Sequence, residues 1–168
     1  MSLLTPDIYL QSVAEVSPEL LQKYSIRSLL LDVDSTLKRY KSDSLEPEAV
    51  HWLETMKRAE IGLCILSNGK AHRIRPIAEL IQVPFVAPAL KPLPVGCKTA
   101  LTTMNFDRKT TAMVGDQVFA DLLAGKLAGL FTILVKPIHP EEEHWYTRIK
   151  RPLESFVLGQ VKTGKLRS

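Results

Sequence analysis

Five short apolar runs recur along the chain, and each is bounded by residues that favour turns. They span residues 28–32, 62–67, 84–87, 111–115 and 131–135. Because these runs are mostly apolar and do not alternate with polar residues, they predict strands that are buried on both faces of a sheet. Strands of this kind are typical of parallel sheets that carry helices on both sides.

Between these runs, apolar residues recur with the 3.6-residue period of amphipathic helices. Pro47 suits the first turn of one helix. Three further stripes are predicted, formed by Ile74, Ile77, Ala78 and Ile81, by Cys97, Ala100, Leu101 and Met104 after Pro94, and by Phe119, Leu122, Leu123 and Leu127. Strands that alternate with helices at this spacing predict an α/β fold, a doubly wound three-layer sandwich around a mostly parallel sheet.

The length and composition predict one domain. The chain has 168 residues, of which 45% are hydrophobic and 24% are charged, and this is sufficient for a single substantial core. We expect that core at about residues 25–138, followed by a more polar tail at residues 139–168. Within the tail, residues 145–151 combine aromatic and basic side chains, which suit either a membrane interface or the packing of the tail.

Charge and cysteine content narrow the environment of the protein. The net charge of +4 and the pI near 9.1 favour anionic partners, although nucleic acid is not expected among them. Cys64 and Cys97 lack metal-binding spacing and need no disulfide, which favours a reducing compartment.

The first ten residues do not resemble a signal peptide, and no apolar run reaches the roughly 18 residues of a membrane span. We expect a cytoplasmic protein whose membrane contact, if any, is peripheral. The oligomeric state is left open.

Polar residues that could take part in catalysis or ligand binding lie at or after the ends of four predicted strands. Asp32 ends the first strand and Asp34 lies two residues beyond it, Ser67 ends the second, Lys91 comes after the third, and Asp116 ends the fourth. In doubly wound sheets, ligands bind beyond the carboxyl ends of the strands. Two carboxylates separated by one residue at such a turn can converge on a phosphate and a metal ion. This arrangement indicates phosphoryl transfer through an aspartate.

Four ordered motifs carry a resemblance to a known superfamily. They are Asp32-x-Asp34-x-Thr36, Ser67-Asn68, Lys91-Pro92, and Gly115-Asp116 with Asp121. In this order the chain resembles the haloacid dehalogenase-type phosphatases, and more narrowly the YqeG-like family of subclass IIIA, over roughly residues 3–158. The narrower resemblance rests on Thr5-Pro6-Asp7, Leu37 after the first motif, Leu66 before the second, Gln117 after the fourth, and the run 133–138.

The resemblance implies a role for each of these residues. Asp32 is expected to attack phosphorus and form an aspartyl-phosphate, while Asp34 serves as general acid and then as general base. The phosphate-binding residues are expected to be Thr36, which also orients its loop, Ser67, Asn68 and Lys91.

A divalent cation is expected at the same site. Two carboxylates that face a phosphate dianion would repel it, and hard oxygen ligands favour Mg²⁺. The expected ligands are Asp32, the backbone carbonyl of Asp34, and Asp116. Asp121 is a supporting residue that could reach Lys91 or a metal-bound water molecule.

The spacing of the motifs indicates an open site. Only 30 residues separate Thr36 from Ser67, and 23 separate Ser67 from Lys91, so no large cap domain is expected. An open site favours large substrates that cover it. The resemblance implies phosphatidylglycerophosphate, and the expected activity is its Mg²⁺-dependent dephosphorylation at the membrane surface. Two alternatives stay open: a phosphatase of a soluble sugar or nucleotide phosphate, and a non-catalytic module that senses phosphate or metal.

Two further features bear on the substrate. A basic cluster follows Ser67 and is either a solvated helix face or a contact for an anionic substrate; it consists of Lys70, His72, Arg73 and Arg75. Three positions depart from the pattern of the family, namely Ser35 in place of asparagine, Ala120 in place of threonine, and Lys126 in place of glycine or asparagine. None of these departures removes a chemical group assigned above.

Overall fold

A computed structural model describes residues 2–40 and 42–138 of the chain. In this part a single parallel sheet of six strands forms, in the order β1-β6-β5-β2-β3-β4. The strands are β1 Ile8–Leu10, β2 Ser28–Leu31, β3 Gly62–Leu66, β4 Phe85–Val86, β5 Thr111–Gly115 and β6 Phe131–Val135. The five strands predicted from the apolar runs are confirmed. The chain leaves β2 toward β3 on one side and returns to β5 on the other, so β2 lies at the switch point where such sheets bind ligands.

The strand β1 is an addition to the prediction. It pairs with β6 at the edge of the sheet, with Ile8 opposite Ile133. Asp7 fixes this pairing, because its backbone N–H donates to the Thr132 carbonyl at 3.0 Å and its carboxylate accepts from the Thr132 N–H at 2.9 Å. The core therefore begins near residue 8 and not near residue 25. Three residues with one buried side chain are too few to show a strand pattern, so long-range pairing defines this strand.

Helices cover both faces of the sheet and confirm the doubly wound sandwich. They are α1 Pro18–Lys23, α2 Pro47–Arg58, α3 Ala71–Ile81, α4 Val95–Met104 and α5 Leu123–Leu127. Side chains of α1, α2 and α3 pack with Leu29 and Leu31 of β2, whereas α4 and α5 pack with Leu30 on the opposite face. None of the helices in the described ranges is long and apolar enough to cross a bilayer.

The apolar stripe predicted around α5 is partly wrong. A π-helical turn, Val118–Leu122, precedes α5, and its wider turn shifts the residues that face the core. Leu122 is buried as predicted, Phe119 and Leu123 are half-buried, and Leu127 is exposed. The buried positions of this segment also include Val118, Ala124, Gly125 and Ala128.

The connections that could carry a cap are short, as the sequence predicts. Between Thr36 and Ser67 the described residues form α2 and β3, and between Ser67 and Lys91 they form α3 and β4. Each of these connections belongs to the sandwich itself. Within the described residues, the carboxyl edge of the sheet is therefore free of an inserted cap domain.

Candidate active site

The residues predicted to carry the chemistry converge at the carboxyl edge of the sheet. Asp32 follows β2, Ser67 follows β3, Lys91 lies in the loop after β4, and Asp116 follows β5. A cleft of about 260 Å³ opens at this edge, and its walls include Asp32, Ser67 and Lys91. The parallel arrangement brings together residues that are up to 84 positions apart in the sequence, from Asp32 to Asp116. This geometry follows directly from the shared direction of the strands.

Lys91 occupies the centre of the charged network. Its ammonium group donates to Asp32 Oδ1 at 2.6 Å and to Asp121 Oδ1 at 2.6 Å, and all three residues are buried. Burial lowers the pKa of Lys91, but the carboxylates of Asp121 and Asp32 outweigh this effect and leave the pKa raised. Lys91 is therefore a permanent positive charge at the floor of the cleft.

Asp121 is fully engaged by hydrogen bonds. While Oδ1 accepts from Lys91, Oδ2 accepts from the backbone N–H groups of Asp116 at 3.1 Å and Gln117 at 3.0 Å. These contacts depend on the π-helical turn that carries Asp121. They also depend on Gly115, since a Cβ at this position would lie 2.3 Å from the Asp121 Cγ. Asp121 thus positions Lys91 and closes the turn after β5.

The pKa of Asp32 is subject to opposing effects from its neighbours. Burial and the negative charge of Asp121 raise its pKa to about 7, although the ammonium of Lys91 acts in the opposite direction. One lysine is shared by two carboxylates, so its charge neutralises neither of them completely. An additional positive charge beside Asp32, the nucleophile predicted from the sequence, would therefore favour its ionised carboxylate form.

The acidic cluster fits a divalent cation. Carboxylate oxygens of Asp32, Asp116 and Asp121 lie within 4.8 Å of one another, and such hard oxygen donors suit Mg²⁺. Because both oxygens of Asp121 already accept hydrogen bonds, Asp32 and Asp116 are the better side-chain ligands. These are the two side chains expected from the sequence, and the backbone carbonyl of Asp34 stays a prediction.

Two of the predicted phosphate-binding residues occupy different positions relative to the cleft. Thr36 is buried behind it, and its hydroxyl donates to Asp116 Oδ1 at 3.1 Å. Ser67 lines the cleft, where its hydroxyl accepts from the Gly69 N–H at 3.0 Å. The hydroxyl proton of Ser67 is a suitable donor to a phosphoryl oxygen. In this geometry Thr36 orients a candidate metal ligand, and its contact with phosphate stays a prediction.

Asn68 also lines the cleft, but its side chain binds the backbone of Lys91. The amide nitrogen donates to the Lys91 carbonyl at 2.8 Å, and the amide oxygen accepts from the Lys91 N–H at 2.8 Å. This pair of hydrogen bonds fixes the loop that presents the ammonium. The structure thus gives Asn68 a positioning contact, while direct phosphate binding stays a prediction.

Asp34 stands at the rim of the cleft between two cations. The guanidinium of Arg73 donates to Oδ1 at 3.3 Å and makes a shorter contact with Oδ2, and the Lys38 ammonium lies 2.9 Å from Oδ1. Arg73 is half exposed and lines the cleft, so it can also meet an anion that enters. The ion pairs with Arg73 and Lys38 therefore fix the position of the Asp34 side chain, in addition to the turn that carries it.

Lys38 is a site residue that the sequence analysis missed. It is fully buried, and its ammonium donates to the backbone carbonyls of Arg39, Tyr40 and Ser42 in addition to contacting Asp34. The only signal in the sequence was an acid and a lysine four residues apart. Outside a helix, that spacing has no fixed geometry.

The basic cluster after Ser67 divides into different roles. Arg73 reaches the cleft, as described above, whereas Arg75 lies over the ring of Phe85 at 5.7 Å from its centroid. Lys70 and His72 are exposed. One member of the cluster therefore serves the site, and its neighbour Arg75 supports the packing of α3 on β4.

Comparison with known proteins gives concordant matches. A family profile described as haloacid dehalogenase-like hydrolase matches residues 8–129. The chain is 29% identical over 157 residues to "Probable phosphatase YqeG" of Bacillus subtilis (strain 168), which covers 94% of this chain and 91% of that protein.

Solved structures of low sequence identity share the architecture. The cobalt-bound deoxy-D-mannose-octulosonate 8-phosphate phosphatase from Haemophilus influenzae matches with a TM-score of 0.56 and 17% identity, covering 81% of this chain and 89% of that one. The 3-deoxy-D-manno-octulosonate 8-phosphate phosphatase from Moraxella catarrhalis, solved with magnesium, phosphate and KDO, matches with a TM-score of 0.51 and 14% identity, covering 84% and 91%. At these identities the likeness establishes the fold.

Proposed function

Since the chain belongs to the haloacid dehalogenase-like hydrolase family and is a phosphatase, we propose that it hydrolyses phosphomonoesters through a covalent intermediate on Asp32. The physiological substrate in this proposal is phosphatidylglycerophosphate, the phosphomonoester precursor of phosphatidylglycerol. The site of action is the cytoplasmic surface of the membrane.

One observation carries the proposed mechanism. The carboxylate of Asp32 lies in the cleft wall with Lys91 bonded to it at 2.6 Å, while Asp34 stands at the rim two residues later. An Asp32 oxygen attacks phosphorus, and the bond from phosphorus to the leaving oxygen breaks. Asp34 gives a proton to that oxygen. Water then attacks the aspartyl-phosphate, gives its proton to Asp34, and releases inorganic phosphate.

The remaining residues stabilise negative charge that moves through the cleft. Lys91 contacts Asp32, the hydroxyl of Ser67 is available as a donor, and the half-exposed Arg73 lines the cleft beside Asp34. Preorganised donors of this kind lower the barrier because they need no rearrangement as charge develops. Lys38 keeps the Asp34 loop in place from behind.

The cofactor in this proposal is Mg²⁺, held by Asp32 and Asp116. When bound, it would neutralise the phosphoryl oxygens and hold them in line with the nucleophile. The support for it is the buried group of three carboxylates with oxygens within 4.8 Å and the raised pKa of Asp32.

Three features favour a lipid headgroup as the substrate. The YqeG-like resemblance implies phosphatidylglycerophosphate. The carboxyl edge of the sheet carries no inserted cap within the described residues, which leaves room for a substrate embedded in a larger surface. The net charge of +4 favours an anionic membrane.

The test is phosphate release by the purified protein with Mg²⁺. Phosphatidylglycerophosphate in mixed micelles is compared with soluble sugar and nucleotide phosphates, and Asp32→Asn is the control. We expect preferential turnover of the lipid and none by the variant, because an amide cannot serve as the nucleophile. Turnover of soluble phosphates alone would retain the phosphatase and contradict the lipid substrate. Absence of turnover on every substrate would favour a non-catalytic phosphate- or metal-sensing module.

A further inference from the structure

The loop between β4 and α4, together with the first residue of α4, presents three large apolar side chains to solvent. Leu90, Leu93 and Val95 are 55%, 56% and 46% exposed. A single exposed leucine is ordinary, but three large apolar side chains within six residues form a candidate interaction surface. The loop leaves the carboxyl end of β4 on the same edge as the cleft, and its residues Lys91 and Pro92 line the cleft. The apolar group therefore flanks the active site. We call residues 88–95 the rim loop.

The exposure of these side chains is built into the fold. Asn68 holds both backbone groups of Lys91 at 2.8 Å, and the Leu93 N–H donates to the Leu90 carbonyl at 2.9 Å. Three prolines further restrict the backbone; they are Pro88, Pro92 and Pro94. A surface that is already ordered loses little entropy when it binds.

Leu90 adds an independent observation. Its φ is 58°, in the left-handed region that a bulky side chain rarely adopts. Such strain persists where the surrounding structure enforces it, and it concentrates at functional sites. Here the residue is apolar, strained and more than half exposed, so core packing does not account for it.

The charge around the rim loop points to an anionic surface as its partner. From residue 80 to residue 106 the chain contains no aspartate or glutamate. Of the two lysines in this range, Lys91 is buried and paired with Asp32 and Asp121, whereas Lys98 is exposed and carries the positive charge that faces solvent. The amino-terminal turn of α3 also faces this edge, because Arg73 lines the same cleft, and Lys70 immediately precedes that helix. Exposed leucines combined with lysine and arginine are the composition that binds the interface of anionic bilayers.

We propose that the rim loop docks on an anionic phospholipid bilayer, with Leu90, Leu93 and Val95 in the interfacial region and the cleft facing the headgroups. This inference rests on the proposed function, since it explains how a cleft of about 260 Å³ reaches a phosphomonoester on a lipid. The acyl chains stay in the bilayer, and only the headgroup enters.

The experiment measures binding to vesicles made of equal parts phosphatidylglycerol and phosphatidylcholine. The full-length protein is sedimented with these vesicles, and Leu90→Asn/Leu93→Gln is compared with the unaltered chain. Asparagine tolerates the left-handed conformation of residue 90. We expect vesicle binding to fall by about tenfold or more, because two apolar side chains no longer enter the interface. Leu93→Gln alone is the second variant, and we expect a smaller loss.

Leu80→Gln is the matched control. Leu80 is 76% exposed and lies near the end of α3, whose first turn faces the cleft, so it sits toward the opposite edge of the sheet. We expect this variant to bind vesicles like the unaltered chain. We also expect all three variants to turn over a soluble phosphomonoester at the unaltered rate, which verifies that the folded site is intact.

Several outcomes would overturn the docking surface. They are equal vesicle binding by the double variant, an equal loss in Leu80→Gln, and absence of binding by the unaltered chain. Dissociation of a dimer by the double variant, with no vesicle binding, would instead assign the loop to a second copy of the chain. Failure of the proposed substrate is distinguishable, because it appears as vesicle binding through the rim loop without turnover of phosphatidylglycerophosphate.

Discussion

Lys91 is the residue on which the geometry of the site converges. Its single ammonium bridges Asp32 and Asp121 at 2.6 Å each, so the position of the Asp32 carboxylate is linked to the turn after β5. Asp121 in turn depends on the small size of Gly115. A substitution that shifts Asp121 should therefore also displace Asp32 through Lys91, even when the altered residue does not contact the substrate.

Gly115→Ala tests this linkage. The new Cβ would overlap the Asp121 carboxylate, displace it from Lys91, and lower kcat/KM by about 10²-fold, since misplacement by about 1 Å has that effect. Steady-state kinetics measures the change. Gly62→Ala is the matched control, because its Cβ would meet the Phe106 ring at 2.7 Å at the other end of the sheet. Unchanged kcat/KM in Gly115→Ala would contradict the linkage.

Lys38→Met tests the buried ammonium behind Asp34. The substitution removes the cation that satisfies the carbonyls of Arg39, Tyr40 and Ser42. We expect the free energy of unfolding to fall by about 2–4 kcal/mol, because these acceptors and Asp34 lose a buried partner. Urea denaturation measures this. Lys98→Met, at an exposed position of α4, should change stability by less than about 0.5 kcal/mol; a similar small change for Lys38→Met would refute the role.

At the residue scale the sequence was informative where a residue follows a predicted strand. Asp32, Ser67 and Asp116 reach the carboxyl edge because parallel strands deliver them there. Lys38 was not predictable in this way, since its contacts depend on the path of an irregular loop. Asn68 was predictable as a member of the site, but its hydrogen bonds to Lys91 depend on a loop 23 residues away.

At the scale of elements, some residues at the ends of helices have a strained backbone conformation. This strain can be relieved without changing the candidate site. Gln82 caps the carboxyl end of α3 with φ of 53°, in the left-handed conformation that glycine adopts most easily. The residue is exposed, so its side chain contributes little packing. The strain is therefore removable without loss of core contacts.

Gln82→Gly should raise the free energy of unfolding by about 0.5–1 kcal/mol, because the left-handed conformation penalises a Cβ by roughly 1–2 kcal/mol and the entropy of glycine offsets part of the gain. Thermal denaturation would show this as a higher midpoint. Gln82→Ala retains the Cβ and should give no such gain. A lower midpoint for Gln82→Gly than for Gln82→Ala would contradict the assignment of strain.

Elements differed in how well the sequence predicted them. The long apolar runs and the stripe of α3 are confirmed because burial alone determines their pattern. By contrast, β1 is defined by pairing with β6, and the π-helical turn before α5 is defined by a backbone bond from the Leu122 N–H to the Gln117 carbonyl, five residues earlier, at 3.1 Å. The local period of apolar residues predicts neither feature. The strand β1 depends on a long-range contact, and the π-helical turn depends on one added residue in a single turn.

At the scale of the whole molecule, the acidic cluster predicts that a bound divalent cation stabilises the fold. Asp32, Asp116 and Asp121 gather buried negative charge at the switch point of the sheet, and a bound ion would offset their repulsion. The folded chain presents this cluster, whereas the unfolded chain disperses it. A cation that binds there must therefore stabilise the fold.

Addition of Mg²⁺ should raise the midpoint of thermal unfolding, and a chelator should reverse the effect. At a concentration 100 times the dissociation constant, the expected gain is about 2.7 kcal/mol. Asp116→Asn should lose most of this response, because it weakens one of the two side-chain ligands. The same rise with NaCl at equal ionic strength, or an undiminished response in Asp116→Asn, would rule out the assigned site.

The most direct measurement is detection of a phosphoryl group on Asp32 during turnover. The protein is mixed with substrate and Mg²⁺, quenched in acid within the first turnover, digested, and analysed by mass spectrometry. We predict a phosphorylated peptide that contains Asp32, is sensitive to hydroxylamine, and is absent in Asp32→Asn. Rapid phosphate release by the unaltered protein, with equal release by Asp32→Asn and no modified peptide, would contradict the mechanism.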